Sequence, residues 1–464
     1  MRRAVLLAFL LSSLPATAQP AQPSQAAPTD ARSRAERGLL ERTVEVPTVA
    51  GRGEMPRLTR LIADEFRSVG ITDIQIKPHG ATQSMIIRWP AARPSGRKPI
   101  LLMAHMDVVE ARREDWTHDP FVFREAEGYY WGRGVSDNKA GVVTIVAALK
   151  RLKASGFRPS RDIVVLFTGD EETGQDAARL ATTDWRQLID AEYALNSDAG
   201  GGSIYRDGRV RNFIVQTAEK MYADYRFVAV NRGGHSSMPR PDNAIYQLAR
   251  ALKTLEEYRF APMLNDTTRV SFEATAAQDT GVWGAAIRAW LEEPQNIERA
   301  DVVEMMSPGT TRTRCVATQL SGGHAPNALP QRAEANVNCR IFPGSTTEAI
   351  QQELQAIAGQ DVRVEVADPG VPSQASPLRE DVLSAYTAAV RRRYPEAPVT
   401  PNQSAGATDG AYTRGAGIPT YGVGGTWTWI GDQAGIHGLN EKVPVRAFHD
   451  GIDIWEDMLR ALAG

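Results

Sequence analysis

Three short apolar runs constrain this chain more than any other feature. They are Pro99-Ile100-Leu101-Leu102-Met103, the stretch 162–168 (Asp-Ile-Val-Val-Leu-Phe-Thr) and Tyr193-Ala194-Leu195-Asn196. Each is too short for a helix and lacks the polar–apolar alternation of a half-exposed strand, so each predicts a strand buried on both faces. Between the first two, residues 140–152 carry a Val142, Ile145, Val146, Leu149 stripe at helical spacing, and residues 32–69 read as helical, with Leu39, Leu40, Leu58, Leu61, Ile62 and Phe66 as apolar positions. Strands alternating with helices predict an α/β fold with a mainly parallel sheet flanked by helices.

The pattern changes near residue 211. Segments 213–217 and 222–230 read as strands with one exposed face, followed by a helix at 244–258, strands at 312–320 and 333–342, a helix at 346–358 and a strand at 361–366. This is an α+β layer. After Pro369 the helical pattern returns at 379–393 and 446–462, with short strands around 418–423. A chain of 464 residues exceeds one ordinary core. The expected organisation is therefore one domain in two parts, 32–210 and 368–464, with a second domain inserted at 211–367. No internal repeat is visible.

The first residues read as a secretory signal: Arg2 and Arg3, an apolar stretch from Ala4 to Leu14, and the small-residue cleavage site Ala16-Thr17-Ala18. Residues 1–18 are thus expected to be removed and 19–31, rich in Pro, Ala and Gln, to form a flexible leader; the protein is exported, to the periplasm or outside the cell. The apolar stretch is too short for a permanent membrane span, and no later segment is one. A formal net charge of −2, with basic residues scattered, gives no bulk attraction to nucleic acid or anionic membrane. The two cysteines, Cys315 and Cys339, form no Cys-x-x-Cys pair, so a thiolate metal site is not indicated.

Five segments place acids or histidines where strands end, the region where ligands collect in open α/β sheets. They are His105-Met106-Asp107; Gly132-Arg133-Gly134-Val135-Ser136-Asp137-Asn138-Lys139-Ala140-Gly141; Thr168-Gly169-Asp170-Glu171-Glu172-Thr173-Gly174; Asn196-Ser197-Asp198-Ala199-Gly200-Gly201; and Gly435-Ile436-His437-Gly438-Leu439-Asn440-Glu441-Lys442. Imidazole is a good zinc ligand, and a carboxylate two residues on can hold its second nitrogen. Three adjacent carboxylates at 170–172 repel one another unless a cation offsets them or they diverge into water. Singly, each segment also reads as something plainer: a surface histidine, a helix cap, a solvated acidic loop.

Together with Gly-Gly-His-Ser-Ser-Met-Pro at 233–239, these motifs resemble metallopeptidase family twenty, the dinuclear zinc hydrolases that include aminoacylase, acetylornithine deacetylase, carboxypeptidases G and S, and carnosinase-type dipeptidases. The resemblance covers nearly the whole chain beyond the signal, and it implies that 32–210 and 368–464 form the catalytic domain and 211–367 an inserted lid of dimerisation type. It implies that His105, Asp137 and Asp198 hold one Zn2+ and that Asp137, Glu172 and His437 hold the other, Asp137 bridging. Co2+ or Mn2+ can take the same donors. It further implies that Asp107 orients His105, that Glu171 is the general base, and that the 137–138 peptide bond is cis. His235 becomes an oxyanion stabiliser that in relatives often comes from a neighbouring subunit, which allows a homodimer. Asn327 and Arg340 are implied to bind substrate backbone and carboxylate, and Thr408 to lie on a substrate-side loop.

The implied reaction is hydrolysis of an amide or peptide bond next to a free carboxylate, in a small peptide or N-acyl amino acid. Asp at 198, where some relatives carry Glu, shifts the expectation toward dipeptidases and carboxypeptidase S-type hydrolases. Two other readings stay open: a non-catalytic zinc- or ligand-binding protein on the same fold, and an aminopeptidase of the related single-domain type, against which the 233–239 motif argues. Within 280–306, Trp283, Ala286, Ile287, Trp290 and Leu291 form an amphipathic helix that packs on the inserted domain or meets a partner or apolar substrate. If strands 312–320 and 333–342 form a hairpin about Asn327, Cys315 and Cys339 stand opposite and can form a disulfide in an oxidising compartment.

Overall fold

The computed structural model describes residues 30–464. The expected signal segment and most of the leader lie outside the described residues. Asp30 and Ala31, placed in the leader from sequence, instead start the first helix: Asp30 caps Ala31–Val44 by accepting hydrogen bonds from the amides of Arg32 and Ser33.

Among the described residues, ten strands form one mixed sheet. Its middle strands, Ile163–Thr168, Ile100–His105, Tyr193–Asn196 and Thr420–Gly422, are adjacent and parallel. Successive side chains of a strand point to opposite faces, and both faces here are covered. Ile100, Leu102, Ile163, Val165 and Phe167 join the large core with helices Met55–Arg67, Lys139–Ala154 and Val445–Ala463. Leu101, Met103, Val164 and Leu166 join a second cluster with Ala181, Ile189 and Ile418. Double burial is the reason these strands lack alternation. The antiparallel pair Asp73–His79 and Thr82–Trp89 completes one edge of the sheet.

A second, four-stranded antiparallel sheet runs in the order Arg314–Gly322, Arg332–Ile341, Met221–Val230, Arg363–Asp368. Helices Ala244–Glu257 and Thr347–Ala358 bury Leu248, Leu255, Ile350 and Leu354 on it with Tyr225, Phe227 and Val337. Cys315 and Cys339 are directly paired across two of its strands, with Cα atoms 4.1 Å apart, and are joined by a disulfide.

Three features differ from the sequence reading. Residues 32–69 are two helices, Ala31–Val44 and Met55–Arg67, separated by a glycine-containing loop that the apolar spacing alone does not register. Strand Val210–Glu219, read as part of the inserted layer, lies in the large sheet beside Gly201–Ile204 and Val399–Ser404, so the chain passes to the small sheet between Glu219 and Met221 rather than near 211. Helix Val282–Glu292 packs Ile287 and Trp290 against Phe272, Ala276, Ala300 and Val303 in a cluster of its own, not on the small sheet. That cluster leans on the large sheet through helix Asp266–Gln278, whose cap Asn265 donates to Gln403 at 2.7 Å.

No helix among the described residues is long and apolar enough to cross a membrane.

Candidate active site

The parallel strands deliver the site. His105 ends Ile100–His105, Thr168 ends Ile163–Thr168, and Asn196 ends Tyr193–Asn196. The acidic segments that follow therefore meet above one edge of the sheet.

His105 is buried. Its Nε2 lies 2.9 Å from Asp137 Oδ1 and 3.5 Å from Asp198 Oδ1. Its Nδ1 lies 3.1 Å from the Asp107 carbonyl oxygen and 3.5 Å from Asp107 Oδ1. The nearer partner of that nitrogen is thus the backbone of residue 107. The Asp107 carboxylate accepts hydrogen bonds from the amides of Glu171 and Glu172, at 3.1 and 3.0 Å. The other Asp137 oxygen, Oδ2, is 3.2 Å from His437 Nε2, which is 2.9 Å from Glu172 Oε2. Two donor groups result, His105–Asp137–Asp198 and Asp137–Glu172–His437, each with ligand atoms within 4.8 Å of one another, and Asp137 belongs to both. The Asp137–Asn138 peptide bond is cis. Asn138 donates to Asp198 Oδ1 at 3.0 Å and accepts from Ser197 at 2.9 Å. Gly141, in the first helical turn behind it, has no room for a Cβ, which would collide with Asn138 and Ser197.

Residues that the sequence gives no supporting role hold these loops. Glu441 is fully buried and accepts from the amides of Gly134, Ser136 and Asp137 and from Arg133, at 2.7–2.9 Å. It fixes the backbone that carries Asp137. Behind the Glu171–Glu172 turn, Asp170 accepts from the amide of Ala177 and faces His79 at 3.5 Å, while His79 pairs with Ser84 at 2.8 Å and Ser84 accepts from the Gly169 amide. Asp409 accepts from Thr168 at 2.6 Å, and its other oxygen is buried without a partner.

The charge balance favours cations. Burial, and then the Asp198 carboxylate, push Glu171 up to about 10. Burial and Asp137 push Glu172 up to about 7. Burial raises Asp198, and raises Asp409 to about 8. Burial opposes ionisation of Asp137, but its bonds to His105 and His437 outweigh it and hold Asp137 below the ordinary range. His437 is raised to about 9, chiefly by its hydrogen bond to Asp137. Clustered carboxylates that resist ionisation, interleaved with imidazoles, are the donor set of a divalent-metal site, and nitrogen with carboxylate oxygen suits zinc-like ions. The residues present fit two such ions.

Two cavities flank the cluster, and Glu171 and His437 line both. One, of about 720 Å³, is also lined by Glu172, Lys220, Tyr222 and Arg340. The Arg340 guanidinium sits 4.9 Å from the centre of the Tyr222 ring. The other, of about 650 Å³, runs past Asp137 and Asp198 toward Gly201, Ser203 and Asn402. A further cavity of about 730 Å³ lies along the first helix, but its acids pair with its own bases, Glu36 with Arg151 and Glu65 with Lys150, leaving no open donor set.

Not every expected residue arrives. His235 and Asn327 lie together, where the two-residue strand Gly234–His235 pairs with Ala328–Leu329 and the Ser236 amide donates to the Asn327 carbonyl. His235 is exposed, and neither residue lines the two cavities. Thr408 borders the second cavity, but its hydroxyl is committed inward: it donates to Glu219 at 3.0 Å and accepts from the Gly410 amide and Asn196. The geometry makes Thr408 a brace for the loop after strand Val399–Ser404 and not a presenter of a free hydroxyl.

Residues 101–461 match the model of peptidase family M20/M25/M40. The chain belongs to that family. Among its relatives, the probable carboxypeptidase S-like 2 of Dictyostelium discoideum is 26% identical over 82% of this chain and 74% of its own length. The human N-fatty-acyl-amino acid synthase/hydrolase PM20D1 is 28% identical over 88% of this chain and 84% of its own. An M20 family metallo-carboxypeptidase from Sulfolobus solfataricus superposes with a TM-score of 0.68 at 18% identity, covering 92% of this chain and 98% of that one. The protein is thus a hydrolase of the carboxypeptidase, aminoacylase and dipeptidase kind, in a family that is metal-dependent and typically dinuclear.

Metal uptake by this site is coupled to proton release. Below pH 7 Glu172 holds a proton that a metal ion must displace, and up to about pH 9 His437 holds another. Raised pKa values in the metal-free state mean that affinity climbs with pH. The expected rise is at least about one decade per pH unit between 7 and 9, where His437 must give up its proton, and steeper below 7, where Glu172 must as well. Competition against a chromophoric chelator across pH 6–9.5 measures this, and an affinity constant over that range would contradict the site.

Proposed function

We infer that this protein is an exported dinuclear zinc hydrolase that cleaves the amide bond next to a free carboxylate, in a dipeptide, a peptide C-terminus or an N-acyl amino acid. The observation that carries the reading is the position of Glu171. It stands outside both donor groups and lines both flanking cavities, and its carboxylate accepts a hydrogen bond from Gln175 at 3.0 Å.

When bound, two Zn2+ ions on His105, Asp137, Asp198, Glu172 and His437 supply Lewis acidity toward the substrate carbonyl and ease ionisation of water. The protein's own groups do the rest. Arg340, fixed over Tyr222, forks onto the substrate carboxylate in the first cavity and leaves the acyl part to the second. Glu171 takes a proton from the attacking water and returns it to the departing amine nitrogen, so the C–N bond breaks as the C–O bond forms and the products are a carboxylic acid and an amine. Glu171, raised by burial and the neighbouring carboxylates in the absence of cations, is left ionised to take the first proton once bound cations offset them. His235 donates to the developing oxyanion and Asn327 to the substrate backbone, both from a second copy of the chain, because neither reaches the cavities of its own.

The edge strand Arg314–Gly322 supports such a homodimer. It ends the small sheet and is exposed over most of its length, including Val316 and Leu320. Exposed apolar strand edges invite pairing with another chain. The Cys315–Cys339 disulfide fits an oxidising compartment and so an exported protein.

Two measurements test the function. Zinc-loaded protein screened against N-acyl amino acids and dipeptides should hydrolyse one class, and Glu171→Gln should bind metal as before while losing about 1,000-fold or more in kcat. Retention of activity within about tenfold would remove Glu171 from the mechanism. Mixing Glu171→Gln with His235→Ala subunits, each inactive alone, should restore about a quarter of the wild-type rate, since half the dimers carry one intact site. No recovery after verified subunit exchange would place His235 outside the partner's site.

A further inference from the structure

An exposed cation, Arg211, lines the acyl-side cavity with no counterion among the described residues. Strands Gly201–Ile204 and Val210–Glu219 pair antiparallel with Ser203 opposite Asn212 and Ile204 opposite Val210, so Arg211 is the extra residue of a β-bulge. Bulges re-aim a side chain, and they recur beside active sites. Arg211 lines the 650 Å³ cavity that starts at Glu171, Asp137 and Asp198, and also the adjoining cavity of about 500 Å³.

Its neighbours make the contrast. Arg206 pairs with Asp432 and Arg209 with Asp207, whereas among the described residues Arg211 has no hydrogen-bond, ion-pair or ring partner. Asp279, which lines the adjoining cavity, uses its carboxylate to accept from the Gly281 amide at 2.7 Å. The side-chain amide of Asn212, next to Arg211, and that of Asn402, further along the same cavity wall, likewise have no partner among the described residues. Ser203 and Thr428 extend the polar wall, and only Ile214, Trp427 and Ile436 add large apolar surface. Such a wall suits a polar chain with an anionic end better than a long hydrocarbon, whose burial needs continuous apolar lining.

The distance is compatible. From Asp198 to Ser203, which pairs with Asn212, the path is at most about 17 Å of extended chain, and the turn at Ala199–Gly200 shortens it.

We propose that the acyl-side cavity selects substrates whose acyl part ends in a carboxylate, as in half-amides of dicarboxylic acids and acidic peptides, with Arg211 as the specificity-determining residue and Asn212 as a flanking donor. This rests on the amide-hydrolase reading and narrows its substrate class, away from the fatty acyl groups named for the human relative. Arg211 acts on selection and takes no part in bond cleavage.

The test uses the zinc-loaded full protein and the amino acid whose derivatives turn over fastest in the screen above. Its N-suberoyl and N-octanoyl forms share one chain length and differ by the terminal carboxylate. Wild type should show a kcat/KM about tenfold or more higher for N-suberoyl, as a charge-assisted contact gives. In Arg211→Met that ratio should fall to about one, and in Arg211→Glu below one. The loss should appear mainly in KM, and the ratio within each variant cancels any change in the amount of folded protein. An octanoyl preference in wild type, or a suberoyl preference that survives in Arg211→Met, would overturn the proposal while leaving amide hydrolysis intact. Absence of turnover for every compound in the screen would overturn the amide-hydrolase reading instead, and this inference with it.

Discussion

The site depends on the Asp137 carboxylate being held where both of its oxygens face outward to imidazoles, His105 on one side and His437 on the other. A carboxylate alone would not stay there. Glu441 binds three consecutive-region amides and Arg133, and thereby sets the backbone from Gly134 to Asp137 without touching the donor atoms. Glu441 comes from the same segment as His437, so one loop from the end of the chain fixes both the shared ligand and one of its partners. Convergence of this kind rigidifies a site before any ion arrives, and such supporting hydrogen bonds tune the ligands they orient.

The large sheet supplies the rest of the precision. Its central strands are packed on both faces, and their carboxyl ends stop together, so the loops after His105, Thr168 and Asn196 start from fixed points. Asp107 then bonds the amides of Glu171 and Glu172, linking the first loop to the second. The consequence is a division of labour between neighbouring residues. Glu172 turns into a donor group, while Glu171 faces the two cavities with its proton affinity raised by the same crowding that makes the site receptive to cations.

Much of this was legible in the sequence because the chemistry sits at strand ends. Uninterrupted apolar runs marked the strands, and the acids and histidines just beyond them marked the ligands. What escaped had physical reasons. Glu441 and Asp409 act by bonding groups far away in the chain, and nothing local distinguishes a carboxylate aimed at remote amides from a solvated one. Strand Val210–Glu219 is lined by polar residues near its start and buried near its end, so its composition resembles the half-exposed strands of the small sheet it leads into. The turn between Ala31–Val44 and Met55–Arg67 is marked by Pro47, Gly51 and Gly53, which break a helical pattern, and not by the apolar positions on either side of it. Thr408 borders the second cavity, as a substrate-side loop would, but the buried Glu219–Arg414 pair nearby draws its hydroxyl inward, which no local pattern shows. His235 and Asn327 stand apart from the cavities because one chain presents them outward.

The central claim is that one aspartate is shared between two cations. Anomalous scattering from crystals of the zinc-loaded protein, collected on both sides of the zinc absorption edge, tests it most directly. Two peaks should appear, one among His105, Asp137 and Asp198 and one among Asp137, Glu172 and His437, with Glu171 bound to neither. A single peak, or zinc seated away from Asp137, would contradict the account.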